Sequence, residues 1–222
     1  KIVLLNGLAS GDRNTRAEEA GAIAQVYIQD DYIRMMPVSP LWGAPTPETK
    51  HLIPTTPSVS LTQTAGKRVR ALLAQGPVKV RLQAEVDTGW RKIPELVGEI
   101  AAPNDGGQYV LLTNHQDSLY FGAMDNGSAN ATALEVARLM AQNVGQLRRG
   151  LRVIFWSGHS HGRFAGSSWY VDNFFEDLYD HCIAHVNVDS TGGMKATVID
   201  EAPVMAETKA LAADCIAYVT GQ

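Results

Sequence analysis

Three apolar runs along the chain have the composition of buried strands, and each ends in groups able to titrate or bind a metal. Tyr109 to Leu112 leads to His115 and Asp117, Leu151 to Trp156 leads to His159 and His161, and Ile183 to Val188 leads to Asp189. Near-continuous apolar runs joined by helices predict a mostly parallel sheet with both faces covered. Between the first two runs, Ala129, Ala133, Val136, Ala137 and Met140 recur at helical spacing and predict a helix over 126–142, with Gly127-Ser128 as its entry turn. A final helix is predicted over 205–219.

The first part of the chain patterns differently. Ile2 to Leu5 reads as a strand, followed by a helix with Ala17, Ala20 and Gly21 on its packing face and a strand over Ala24 to Ile28. Pro37, Pro40, Pro45, Pro47 and Pro54 make 36–56 largely loop. A short strand at Ser58 to Leu61 and a helix over 65–75, stopped by Gly76-Pro77, complete an α/β unit. Val78, Val80, Leu82, Ala84 and Val86 alternate with other residues and predict a half-exposed strand, and Leu96 to Ile100 a further short one. A boundary near residues 76–90 divides the chain into regions 1–85 and 86–222.

Composition narrows the function classes. The 222 residues are 45% hydrophobic and 19% charged, with a net charge of -4, an ordinary globular balance. No Lys/Arg cluster marks a nucleic-acid or anionic-membrane partner, and no apolar run is long enough to span a bilayer. Cys182 and Cys215 lack metal-pair spacing and read as buried small apolar residues. Lys1 lies already inside a strand-like run and is not an initiator Met, so the chain is expected to be processed or truncated. Neither compartment nor oligomeric state is legible.

The chemistry concentrates on the strand ends. A strand ending in His-x-Asp places His115 and Asp117 on one side of its edge, where open α/β sheets bind ligands. Asp117 suits the orienting of His115, and Asp125 suits a terminal or bridging ligand role. A strand cap and turn aspartates would give the same triplet. His51 is isolated in a loop and reads as a surface or packing histidine. Gly158-His159-Ser160-His161-Gly162 also matches G-x-S-x-G, which allows a serine hydrolase on Ser160. An elbow of that kind leads directly into a helix, whereas Arg163 to Ser167 delays one.

The order His115-Gln116-Asp117, Asp125-Asn126, a Ser-Gly turn at 157–158 and Asn187-Val188-Asp189 resembles the co-catalytic zinc aminopeptidase and glutamate carboxypeptidase family over about residues 95–195. The resemblance implies a mixed, mostly parallel sheet covered by helices. Residues 1–85 are similar to the protease-associated domain that some members carry, on KIVLLNG, the Ala-Gly-Ala run and Ile53-Pro54 to Ser60. It implies that His115, Asp125 and Asp189 hold one zinc, with Asp125 bridging to a second metal and Asp117 orienting His115. A secreted or periplasmic protein acting on peptides or other small amides would follow.

Two departures from the family matter. Its adjacent glutamates, a general base and a ligand of the second metal, are here His159 and Ser160, and no histidine follows Asp189 because the last one is His185. Serine is a poor zinc ligand, so one firm zinc is expected and the second site is doubtful. His159 is then the expected proton acceptor, and His161 the residue that could reach a second metal. The expected activity is hydrolysis of peptide or amide bonds with metal-activated water. A catalytically inactive relative acting as a binding module is the alternative from another class.

Overall fold

The computed structural model describes residues 1–87, 89–197 and 202–221. By their internal contacts the residues divide into two units, Lys1–Thr191 and Gly192–Gln222.

The first unit holds two sheets. In the smaller one, β1 (Ile2–Asn6), β2 (Ala24–Ile28) and β3 (Ser58–Leu61) pair in that order, all parallel. Two helices accompany it: α1 (Gly11–Glu19), and α2 (Gln63–Leu73), whose N-cap Thr62 accepts the Ala65 N–H at 3.1 Å. A Cβ on Gly66 would lie 2.4 Å from Ile28 Cγ2, so glycine permits α2 to approach β2. The central strand β2 buries Gln25 completely. Its amide is occupied by Asn14, Tyr27 and Thr56, which is why a polar residue can sit in the middle of this sheet.

The second sheet has the order β4 (Leu96–Ile100), β6 (Gly150–Trp156), β5 (Tyr109–His115), β7 (Cys182–Asn187). Only β4 runs antiparallel; β5 pairs in parallel with both β6 and β7. The central pair β5 and β6 is buried on both faces. Tyr109, Leu111, Ile154 and Trp156 pack with Tyr170 of α4 (Ala165–Asn173) and Leu178 of α5 (Phe175–His181). On the other face, Leu112, Leu151, Val153 and Phe155 pack on Ala133 of α3 (Ala129–Gln142). Each such buried side chain contributes roughly 1.5–3 kcal/mol.

Three expectations fail here. Residues 78–86 pair with no strand among the described residues and are largely exposed, Val80 to 54% and Val86 to 79%. Alternation describes a face, but a strand also needs a neighbour for its backbone groups. The helix predicted from 126 begins at Ala129, because Asp125 (φ -105°, ψ 91°) and Asn126 (φ -129°, ψ 29°) are non-helical. The apolar side chains of β7 are not enclosed: Ile183 is 51% and Val186 50% exposed.

In the second unit a short 3-10 turn, Ala206–Thr208, leads into α6 (Lys209–Thr220), which ends at Gly221 with φ 73°. Cys182 and Cys215 are both free thiols, and Cys215 is exposed on α6 rather than buried.

Candidate metal centre

The sheet order places β5 between its two parallel partners. The chain leaves β5 for β6 on one side and returns to β7 on the other, so a crevice forms above the carboxyl end of β5. Two backbone bonds extend the pairing into the loops and fix what faces that crevice: Gln116 N donates to Trp156 O (2.9 Å) and Val188 N to Thr113 O (2.8 Å).

His115 ends β5 and is 2% exposed. Its Nδ1 lies 2.8 Å from the backbone oxygen of Asp117. A carbonyl only accepts, so in the neutral tautomer that this bond selects the proton is on Nδ1 and the lone pair on Nε2. Among the described residues that Nε2 is buried without a hydrogen-bond partner, and it faces Asp125 Oδ1 at 3.0 Å and Asp189 Oδ1 at 3.4 Å. The Nε2 lone pair thus faces two carboxylates, an arrangement that repels unless a cation lies between them. Donors about 2.1 Å from a tetrahedral zinc stand roughly 3.4 Å apart. The two separations at His115 suit such an ion.

The turn before α3 presents Asp125, and its non-helical backbone lets the carboxylate reach back to His115; the Asp125–Asn126 peptide is cis. Asn126 is 2% exposed and brackets the end of β7: its Oδ1 accepts from Ser190 N (3.0 Å), while its Nδ2 approaches Val188 O at 3.5 Å. Asp189 is thereby held between two anchored neighbours.

The loop after β6 is organised by Asp117. Its carboxylate accepts the N–H groups of His159 (3.0 Å), Ser160 (2.8 Å) and His161 (3.2 Å). Burial pushes this carboxyl up, but the three backbone donors outweigh it and hold it below the usual aspartate range. The contact that orients the His115 ring therefore comes from the Asp117 carbonyl, while the carboxylate, 3.8 Å from Nδ1, positions the neighbouring loop.

His159 stacks on His115, with ring centroids 3.9 Å apart and planes within 7°. Donor atoms of His115, His159 and Asp189 lie within 4.8 Å of one another, a group that takes in His159 and leaves out the expected ligand Asp125, which is close to His115 alone. Burial and the neighbouring His115 hold His159 below the ordinary histidine range, against the pull of Asp189, Asp117 and Asp125. That shift favours the neutral ring. His161 is not in this group; its Nε2 meets the Ser118 carbonyl at 2.5 Å. Ser160 has no histidine bonded to its hydroxyl among the described residues, so the G-x-S-x-G match lacks its base.

Sequence reasoning missed the supports. Gln116 Nε2 donates to Ser157 Oγ (2.6 Å), and the two Glu95 oxygens accept from Ser157 N (3.1 and 3.2 Å). Burial and the nearby Asp117 push the Glu95 carboxyl up, although the Ser157 bond opposes them. Of these, only the adjacency of Asn126 to Asp125 and of Gln116 to His115 gave any sequence signal. Elsewhere, a cavity of about 500 Å³ beside the first sheet is lined by Arg34, Lys67, Arg70 and one carboxylate, Asp30, but by no histidine, so it does not compete as a metal site.

Comparison with known proteins finds similar peptidases. Over 120 residues the chain is 33% identical to the probable glutamate carboxypeptidase VP8 of Zea mays, a match covering 53% of this chain and 17% of the relative. It is 28% identical to leucine aminopeptidase 2 of Trichophyton equinum over 200 residues, covering 86% and 37%. The chain thus spans well under half the length of these relatives. The fold matches a zinc aminopeptidase from Bacillus subtilis with a TM-score of 0.58 at 22% identity, covering 86% of this chain and 44% of that one. It also matches an aminopeptidase from Aneurinibacillus sp. strain AM-1 with a TM-score of 0.54 at 20% identity, covering 88% and 47%. The model of peptidase family M28 matches residues 95–215, more than half of the sequence, and the chain belongs to that family.

Proposed function

We propose that this chain carries the centre of a zinc-dependent hydrolase of peptide or other amide bonds, with one zinc held by His115, Asp125 and Asp189. The observation that carries this reading is the buried, unpartnered His115 Nε2 facing two carboxylates at 3.0 and 3.4 Å. Zinc in that position supplies Lewis acidity for a scissile carbonyl and acidifies water. Asp117 keeps His115 in the Nδ1-protonated form through its carbonyl and fixes the loop that carries His159. His159, kept neutral, accepts the proton at a ring nitrogen where a glutamate usually does so. Ser160, in the position of the second metal's glutamate, supports a single ion. We further read residues 1–85 as a protease-associated-like accessory module and 86–222 as part of the catalytic domain.

Metal analysis of the purified chain is expected to give about one zinc, and peptide or aminoacyl-amide hydrolysis that a chelator abolishes. Two tightly bound ions would refute the single-metal assignment. The closeness of His159 to His115 and Asp189 favours a second reading, in which His159 is a fourth protein donor. Four protein ligands characterise closed, structural zinc. A chain that holds zinc firmly but turns over no amide would support a binding module of this kind.

A further inference from the structure

His115, His159 and His161 are not oriented alike. The rings of His115 and His161 are fixed by carbonyl oxygens, those of Asp117 (2.8 Å) and Ser118 (2.5 Å). The His159 backbone is pinned by its N–H to the Asp117 carboxylate, but its ring has no hydrogen bond among the described residues. Two other rings hold it instead. His115 stacks on one side, and Phe164 stands edge-on with centroids 4.4 Å apart and planes at 88°.

Phe164 is not placed by its own backbone preference. Phe164 N donates to His159 O and Ala165 N to Gly158 O, both at 3.0 Å, closing a tight loop. Within it Arg163 (φ 52°) and Phe164 (φ 69°) are successive non-glycine residues in the left-handed region, which side chains with a Cβ avoid unless their surroundings hold them there. Those surroundings come from the first region of the chain. Trp42, in the long loop between β2 and β3, stacks on Phe164 with centroids 5.0 Å apart and planes within 8°, and Arg163 Cζ lies 4.1 Å from the centroid of the Trp42 ring. Gly43 donates its N–H to the Arg163 carbonyl at 2.5 Å, and a Cβ there would lie 3.2 Å from Ser168 Oγ, so the same loop runs close against α4. A continuous series of ring contacts, Trp42 to Phe164 to His159 to His115, thus joins the first region to the candidate metal centre. Trp42 is itself 66% exposed, so its removal tests this contact rather than the core.

We propose that Trp42 is a positioning residue for His159, setting through Phe164 the place of the imidazole that accepts the proton, so that a loop of the first region forms part of the hydrolytic site. This rests on the hydrolase reading above, in which His159 is the proton acceptor.

Zinc-loaded wild type, Trp42→Ala and Trp42→Phe, compared by steady-state hydrolysis of an aminoacyl-amide and by proton–nitrogen correlation spectra of the imidazoles, test the proposal. The His159 ring signals are identified by their loss in His159→Gln. Trp42→Ala should lower kcat by roughly 10- to 100-fold, as for a misplaced reacting group, with KM nearly unchanged. Its His159 ring signals should move because the neighbouring Phe164 ring shifts, while its zinc affinity should hold because the brace acts on His159 and not on the three ligands. Trp42→Phe keeps a ring to stack on Phe164 and should restore most of kcat and the wild-type signals. A Trp42→Ala protein with unmoved His159 signals, or with zinc affinity lost in proportion to kcat, overturns the proposal. Wild type serves to separate the two readings. Without zinc-dependent turnover in wild type the hydrolase falls and this proposal with it, whereas wild-type turnover that Trp42→Ala matches sinks only the brace.

Discussion

The two sheets of the first unit both bury polar side chains, but they treat them differently. In the smaller sheet Gln25 is completely enclosed, and its carbonyl and amide both find partners in Asn14, Tyr27 and Thr56. In the larger sheet His115 is almost as deeply enclosed, and one ring nitrogen is bonded while the other faces two carboxylates as a bare lone pair. Burial of a polar group therefore does not by itself indicate function. A satisfied group specifies a core, while a buried lone pair turned on carboxylates marks a place suited to a cation.

The largest effect that could break this contrast is at the metal centre. His115→Ala should reduce zinc affinity by more than about 100-fold, beyond the range typical for losing a supporting residue, and remove chelator-sensitive hydrolysis. Equilibrium competition against a zinc indicator measures it. Unchanged affinity would mean that His115 and the carboxylates facing it do not share an ion. Gln25→Leu is the matching change in the smaller sheet. It should leave zinc affinity unaltered and cost about 2–3 kcal/mol in urea unfolding, because Asn14 and Tyr27 lose a buried partner.

Asp117→Ala sharpens the comparison one step out from the ligands. Three backbone N–H groups of the His159 loop lose their acceptor, while the carbonyl that orients His115 remains. Zinc affinity should fall by no more than about 10-fold, but turnover by about 10- to 100-fold, since the variant disturbs His159 more than His115. Parallel losses in both quantities would show that the carboxylate orients the ligand after all.

How much of this was legible follows from what kind of signal each residue leaves. Continuous apolar runs exposed β5 and β6, because strands buried on both faces need apolar residues at every position, and their ends pointed to His115 and His159. Strand ends were also enough to single out Asp189. Asp125 was legible only as a residue, since the non-helical turn that aims it cannot be read from the helical periodicity following it. The 78–86 segment misled because period two is necessary for a half-buried strand but not sufficient. The division of labour within Asp117, carbonyl to the ring and carboxylate to the loop, leaves no mark on sequence. Nor does the Trp42 contact, which joins residues more than 100 positions apart through a proline-rich loop.

The smallest expected effect lies at the edge of the smaller sheet, where a carboxylate is satisfied in the manner of Gln25 but at the surface. Glu18 Oε1 accepts from the backbone N–H groups of Thr55 (2.8 Å) and Thr56 (2.6 Å) and from both their hydroxyls, tying α1 to the segment before β3. Burial pushes this carboxyl up, but the bonds from Thr56 and Thr55 together outweigh it, so its pKa is lowered on folding. A lowered folded-state pKa means that the contribution is present above the unfolded value of about 4.3 and is lost as pH falls through the folded one. Glu18→Gln should therefore be less stable than wild type at pH 7, with the gap closing between roughly pH 5 and pH 3 as the wild-type carboxylate protonates. Urea unfolding of both proteins across that window measures the gap. A difference that stays constant down to pH 3 would mean that the charge of Glu18 contributes nothing and only its shape is used.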